Sequence, residues 1–453
     1  MKLYKSAIVF LSCSFFLSAC QDYLDVKPST QQSYIESAED CQLLLDNYSV
    51  MNTGYPSDLQ ASSDDYYLLT TRLDQMTQED KEVFSWVPSA QRQLADPQWQ
   101  TPYWIVYQAN LILEAIGDLQ GTTDVAALNN LRGSALFYRS YIFWMLAQQY
   151  TKPYSAATAG TDPGIPLRVT SDMNDKYGRG TVQQVYDRIT EDLKEAAGLL
   201  PDTAVVSSRP SKVAALAMLA RVYLTTGDFQ NALTNANASL QIKSYLKDLN
   251  TASTTSSTPF SPRFTNWEIL FQAVMATSPL LAPGSSSNPL TRINPEIVNL
   301  YEAGDLRKQV FLKAASDGTY RFTGNYEPVT GGNMFCGLAV DEVLLIRAEC
   351  YARSGNTTGA MNDLNTLLRA RYTNTVPYSD KTATSSQDAL NQVLQERRKE
   401  LLMRGLRWTD LRRLNLPATR QTYTYSLSAG DLRYTLLIPR EVITLAGMEQ
   451  NPR

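Results

Sequence analysis

Two stretches lying more than a hundred residues apart repeat one small-aromatic-turn-small pattern: Ala220, Tyr223, Gly227 and Ala232 in the first, Ala348, Tyr351, Gly355 and Ala360 in the second. The spacings of three, four and five residues are the same in both. Small alanines let two helices approach, the tyrosine ring fills the groove beside them, and glycine supplies the tight turn between them. A chain carrying this pattern twice is constrained to build helical hairpins and to bury one face of each hairpin against a neighbour.

The register is that of tetratricopeptide-type hairpins, and the rest of the chain agrees with a mainly α protein. Helical-period stretches alternate with loops rich in Ser, Thr, Gly and Pro, and period-2 patterns are few and short. The segment 181–200 predicts a helix in full: Thr181 and Gln184 fit a capping box, Val185, Ile189, Leu193, Ala196 and Leu200 make one stripe, and Pro201 stops it. Asp187, Arg188, Glu191 and Lys194 then face water. A continuous solenoid does not accommodate the long stretches Thr251–Pro262 and Ser278–Pro295 between its hairpins. The expected architecture is therefore a helical-repeat scaffold with a loop-rich second lobe including about 251–335, and residues 20–453 form one unit.

The N-terminus addresses the protein. Lys2 and Lys5 precede the apolar run Ala7–Leu17, which is too short to span a bilayer and reads as a secretory leader ending at residue 19. Leu17-Ser18-Ala19-Cys20 resembles the lipobox of bacterial lipoproteins, in which the cysteine is lipidated and becomes the first residue. Asp22 and Asp25 resemble the acidic export signal of some surface lipoproteins. Cys20 is thus the expected membrane anchor. Removal of residues 1–19 leaves 39 basic and 45 acidic side chains, a balance that gives no footprint for nucleic acid.

The chain contains no histidine, which excludes Ser-His-Asp and Cys-His nucleophilic sites, His-ligated zinc and histidine as a general base. Beyond Cys20 only Cys41, Cys336 and Cys350 remain, with no CxxC spacing, so no zinc site or disulfide framework is indicated. Cys41 and Cys350 read as small apolar residues on buried faces. Adjacent Asp64 and Asp65 do not amount to a glycosidase pair, whose carboxyls must face each other about 5–9.5 Å apart. No catalytic residue, metal or cofactor is expected.

Eight blocks in order resemble the SusD/RagB family of surface nutrient-binding lipoproteins. They are Trp99, Tyr103 and Asn110 in the helix at 99–116, the segment 131–150 with 163–167 after it, 181–201, 209–233, 266–272, 341–356, 396–415 and 436–452. Two departures stand out. Arg404 occupies a position that is usually acidic, which predicts a rearranged salt bridge with Glu400 one helical turn away, and the chain ends Asn451-Pro452-Arg453 where the family usually has Asn-Pro-Gly-Tyr. The resemblance implies a lipid-anchored outer-membrane protein, exposed at the cell surface, that passes a nutrient oligomer to a SusC-like TonB-dependent transporter. An oligosaccharide is the expected ligand and a peptide the alternative; a competing reading is a periplasm-facing helical-repeat adaptor.

Helical spacing assigns Phe137, Tyr141, Trp144, Trp99 and Tyr103 to the core and the charged run Glu396–Arg413 to a salt-bridged face. Polar and aromatic residues outside helical period are the candidate ligand contacts. One set is Asp65, Tyr66, Tyr67, Arg72 and Trp86, in a region that in the family borders the ligand site; the other is Arg263, Tyr320 and Tyr326 in the loop-rich half. Aromatic faces stack on sugar rings or peptide side chains, while carboxylate and guanidinium groups bond hydroxyls or backbone.

Overall fold

The computed structural model describes residues 35–121, 123–284, 290–420 and 423–453; Cys20, the leader, Asp22 and Asp25 lie outside them. The helices used below are α1 (Ala38–Asp46), α2 (Gln78–Ser85), α3 (Gln100–Asp118), α4 (Val125–Tyr150), α5 (Val182–Leu199), α6 (Lys212–Thr226), α7 (Phe229–Ile242), α8 (Val340–Arg353), α9 (Thr357–Arg369), α10 (Ser386–Glu400) and α11 (Arg407–Arg413). From α3 to α7 each helix packs on the next, α7 packs on α8, and α8 carries both α9 and α10. The two patterned hairpins, α6–α7 and α8–α9, are thus neighbours in space although residues 243–339 separate them in sequence. Long inserts are accommodated because they leave the stack between α7 and α8 and return to it.

Local signals explain the helices. Thr181 caps α5 through the Gln184 N–H while the Gln184 side chain returns to the Thr181 N–H at 2.9 Å, the reciprocal capping box. Gly227 (φ +81°) and Gly355 (φ +86°) turn the two hairpins in the left-handed region that glycine enters without penalty. The central helix is α4, buried on every side from Gly133 to Tyr150. Phe137, Tyr141 and Trp144 are in the core, as is Trp99, with Tyr103 packed against it. Cys41, Cys336 and Cys350 are free thiols inside the protein.

The strands are β1 (Tyr66–Leu68), β2 (Ile269–Phe271), β3 (Thr291–Ile293), β4 (Leu312–Ala314), β5 (Tyr320–Phe322), β6 (Leu338–Ala339), β7 (Ala418–Arg420) and β8 (Tyr425–Leu427). They form four antiparallel pairs, β1–β3, β2–β6, β4–β5 and β7–β8. The first of these fastens the N-terminal segment to the loop-rich region, with Tyr67 opposite Arg292. Among the described residues no helix is long and apolar enough to cross a membrane.

The charged run differs from its expected form. Glu396, Arg397, Lys399, Glu400, Arg404, Asp410 and Arg412 are buried, and the salt bridges are internal. Arg307 donates to Asp305 (2.7 Å), Glu396 (2.7 Å) and Glu400 (3.0 Å), and Arg371 joins Glu400 (2.8 Å) to Glu268 (2.7 Å). The predicted Glu400–Arg404 bridge is replaced by Arg404 to Asp341 at 2.7 Å. The reason is local: α10 ends at Glu400 and Met403 turns left-handed (φ +62°), so Arg404 is no longer one helical turn on. Oxygens of Glu268, Asp341 and Glu400 lie within 4.8 Å of one another. Arg371 and Arg404 already pair with all three carboxylates of that cluster.

Candidate functional site

Between the scaffold and the loop-rich region the segment 57–98 folds back on itself. Gln98 clamps its ends: the side-chain oxygen accepts from the Ser57 and Asp58 N–H groups at 3.0 and 3.1 Å, and the amide nitrogen donates to the Ser57 hydroxyl at 2.9 Å. Arg92 then grips two carboxylates, Asp58 through Nε and Nη2 (2.9 and 2.7 Å) and Asp80 through Nη1 (2.7 Å). Burial opposes the Arg92 charge, but Asp58 and Asp80 outweigh that penalty and keep the guanidinium protonated.

Against this frame the segment Thr277–Pro279 closes a cleft of about 200 Å³. Its walls combine the ring and alkyl groups of Leu94, Pro97 and Pro279 with Glu79, Asp80, Arg92, Asp96, Gln98, Thr277 and Ser278. Polar and charged groups thus outnumber apolar ones in this lining, so recognition here is by hydrogen bonding and charge. The Ser278 hydroxyl is buried without a partner, and no hydrogen bond or ion pair engages the Glu79 carboxylate among the described residues. Sequence reasoning passed over Arg92, although it is the one cation in the stretch Val87–Gln100, a position with no neighbouring base to repel it.

The residues expected at the site are distributed more widely. Asp65, Tyr66 and Trp86 are interior. The Trp86 indole N–H donates to the Ser62 carbonyl at 2.8 Å, and its ring, with those of Tyr66 and Phe84, surrounds the Arg420 guanidinium at 4.7, 4.6 and 4.1 Å. Arg420 spends its donors on the carbonyls of Phe84, Tyr66 and Ala61, and among the described residues no carboxylate pairs with it. Tyr326 serves the same purpose for Arg404, whose guanidinium sits 3.9 Å from its ring centre. These aromatics therefore solvate buried cations with their π faces.

Asp64 accepts two bonds from Arg407 (2.7 and 2.8 Å) and one from Arg398 (3.4 Å). Burial works against its charge, yet Arg407 and Arg398 prevail and hold its carboxyl below the usual range. Burial, reinforced by Asp64, pushes the Asp65 carboxyl the other way, up to about 6. Both groups are enclosed, so neither presents its carboxyl to a cleft.

Of the other members Tyr67 is buried as well, Arg72 and Tyr320 are half-buried, and Arg263 is exposed; they fall in two places. Arg292, opposite Tyr67, donates to Thr319 and to Asp317 (3.1 Å) just ahead of Tyr320 on β5, and Lys308 lies over the Tyr320 ring at 5.9 Å. The Tyr423 hydroxyl donates to the Leu68 carbonyl beside them, and its ring stacks on Tyr425 at 5.5 Å. Arg72, in the adjoining turn, bonds Gln75 at 3.2 Å. On the second surface Arg263 pairs with Glu327 and covers the Tyr48 ring at 4.8 Å, next to the partly exposed Phe264 (φ +68°) and the largely exposed Trp267.

Comparison with known proteins gives this arrangement a context. A family model described as SusD-like, starch-binding and associating with the outer membrane matches residues 22–224, and the SusD family model matches residues 341–434. SusD-like protein P2 of Formosa agariphila is 30% identical over 157 residues, 34% of this chain; the match spans 29% of that relative's length. Among solved structures, a SusD superfamily protein from Bacteroides vulgatus superposes with a TM-score of 0.76 at 22% identity, covering 92% of this chain and 99% of the other. A laminarin-binding SusD-like protein superposes at 0.65 with 19% identity, covering 92% and 98%. Two family models in their proper order, and a shared fold over nearly the whole chain, lead to one conclusion: the chain belongs to the SusD/RagB family of non-catalytic binding proteins.

Proposed function

We propose that this protein is a lipid-anchored outer-membrane receptor that captures an oligosaccharide and delivers it to a SusC-like TonB-dependent transporter. The observation that carries the reading is the match of residues 22–224 to a model whose description joins starch binding with outer-membrane association, because that span holds the segment 57–98, which forms all of the cleft but the wall at Thr277–Pro279. The laminarin-binding neighbour supports a glycan over a peptide. Binding draws on the polar groups of the cleft and on the half-buried tyrosines Tyr320, Tyr423 and Tyr425. No bond is made or broken; the partner supplies the energy for import.

The proposal has two separable tests. Cys20→Ala is expected to move the protein from the membrane fraction to the soluble fraction, and affinity capture of the parent from cell envelopes is expected to bring down a TonB-dependent barrel. Titration against amylose-type and laminarin-type oligosaccharides, with peptides of similar size alongside, is expected to give saturable heat with a glycan. Binding of the peptides alone sinks the oligosaccharide reading, and a parent protein that stays soluble sinks the anchor.

A further inference from the structure

The cleft beside Arg92 carries an excess of negative charge. Three carboxylates, Glu79, Asp80 and Asp96, line it with one guanidinium, and Arg92 is also held from outside the cleft by Asp58. Asp58 and Asp80 share Arg92 between them, so its charge is fully used. Asp96 has only the Thr101 hydroxyl, and Glu79 has no ionic partner among the described residues. Among the described residues no other base lines the cleft: Lys81, on the same helix as Glu79, donates to the Asp74 carbonyl at 3.0 Å, Arg440 meets Arg92 through its backbone N–H, and Arg433 and Arg453 line the neighbouring cavity on the Asp58 side. Glu441 adds a further acid at the rim, accepting from the Ala95 N–H at 2.8 Å.

A neutral sugar needs donors and acceptors in balance, but this site offers mostly acceptors. Its one uncommitted buried hydroxyl, Ser278, is 4% exposed and has no partner in the folded chain. An ammonium group brings three donors and no acceptor, the complement of a wall rich in carboxylates. Carboxylates lining a concave site also raise the local concentration of a cation. The volume of about 200 Å³ is below the roughly 300–1,000 Å³ of a site that encloses a drug-sized ligand, which fits one sugar ring or one end group of a longer chain.

We infer that the Glu79–Asp96 cleft takes a ligand bearing a free ammonium group, such as an amino sugar unit of an oligosaccharide. The inference rests on the reading of this cleft as part of the ligand site. The test is calorimetric titration of the protein with glucosamine hexamer, N-acetylglucosamine hexamer and trilysine. The glucosamine hexamer should bind at least tenfold more tightly than its N-acetylated counterpart, and raising salt from 50 to 500 mM should shrink that advantage. In Glu79→Gln/Asp96→Asn the two hexamers should bind within twofold of each other. Because both side chains are at the surface of the cleft, a circular dichroism spectrum like the parent's is expected.

Equal affinity for the two hexamers overturns the inference, as does a double variant that still discriminates or a failure of every ammonium probe to bind. Binding of trilysine alone, lost in the double variant, keeps the ammonium chemistry and assigns it to a peptide end group; it is then the oligosaccharide reading that fails. Binding of neutral glucans unaffected by the double variant leaves glycan capture standing and removes the charge selectivity.

Discussion

Asp65 and Asp64 are consecutive acids with opposite electrostatics. Asp65 is buried with one carboxylate oxygen unbonded and its other oxygen 3.4 Å from the Gln60 amide. Its carboxyl titrates near 6, against about 3.9 for an aspartate in an unfolded chain. On raising the pH the unfolded chain releases this proton first, so the native state loses stability between roughly pH 4 and pH 6 and carries the penalty above that range. Asp65→Asn should remove it: a gain of up to about 2 kcal/mol at pH 7.5 and none near pH 3.5, read from urea midpoints at the two pH values. A loss of stability at pH 7.5 would show that the carboxylate has a partner the fold does not reveal. Asp64→Asn should do the reverse, costing about 3–5 kcal/mol at pH 7.5 by stranding Arg407 and Arg398. The contrast shows what one sequence could convey. The pair was visible as two acids, but which one faces Arg407, 343 residues away, depends on tertiary packing. Tyr66, Trp86 and Tyr326 were likewise visible as aromatics free of helical period, yet each serves a buried arginine that no local spacing announces.

Elements differ in how far they can be read, and the difference follows from the range of the interactions that form them. The capping box of α5, its apolar stripe and the hairpin glycines act over three to five residues and appear in the sequence as they do in the fold. The strands do not: each has two or three residues, and β1 finds its partner β3 more than two hundred residues later. Glycine positions give a clean measurement of the local part. A methyl group at Gly355 would meet nothing within 4 Å, so Gly355→Ala isolates the cost of φ +86°; the expected loss is about 1–2 kcal/mol. Gly198 also has open space around it but lies in the last turn of α5 at an ordinary φ. Gly198→Ala should therefore stabilise by about 0.5–1 kcal/mol. Denaturant midpoints shifting in the same direction for both variants would contradict the assignment of the two backbones.

At the scale of the molecule, the stacked hairpins and the loop-rich region are joined by charge as well as by apolar packing. Arg371 leaves the end of α9, bonds Glu400 on α10, Glu268 ahead of β2 and the Lys247 carbonyl, and has no exposure to solvent. Five carboxylates, Asp305, Glu396, Glu400, Glu268 and Asp341, face Arg307, Arg371, Arg404 and Lys399 in that interior. Burial raises the Asp341 carboxyl, the direction that brings the cluster closer to neutrality. Such a network adds little over a well-packed apolar core, yet breaking it on one side leaves charges buried alone, at about 3–5 kcal/mol. Arg371→Met should lose that much and also separate the two regions: helix melting by circular dichroism and tryptophan fluorescence, coincident in the parent, should part in the variant. Adding Glu268→Gln removes one stranded charge, so the double variant should recover at least about 1 kcal/mol relative to Arg371→Met alone, a coupling expected of direct contact. Strictly additive losses, or two transitions already resolved in the parent, would mean that the lobes fold independently and that the buried charges do not bind them into one body.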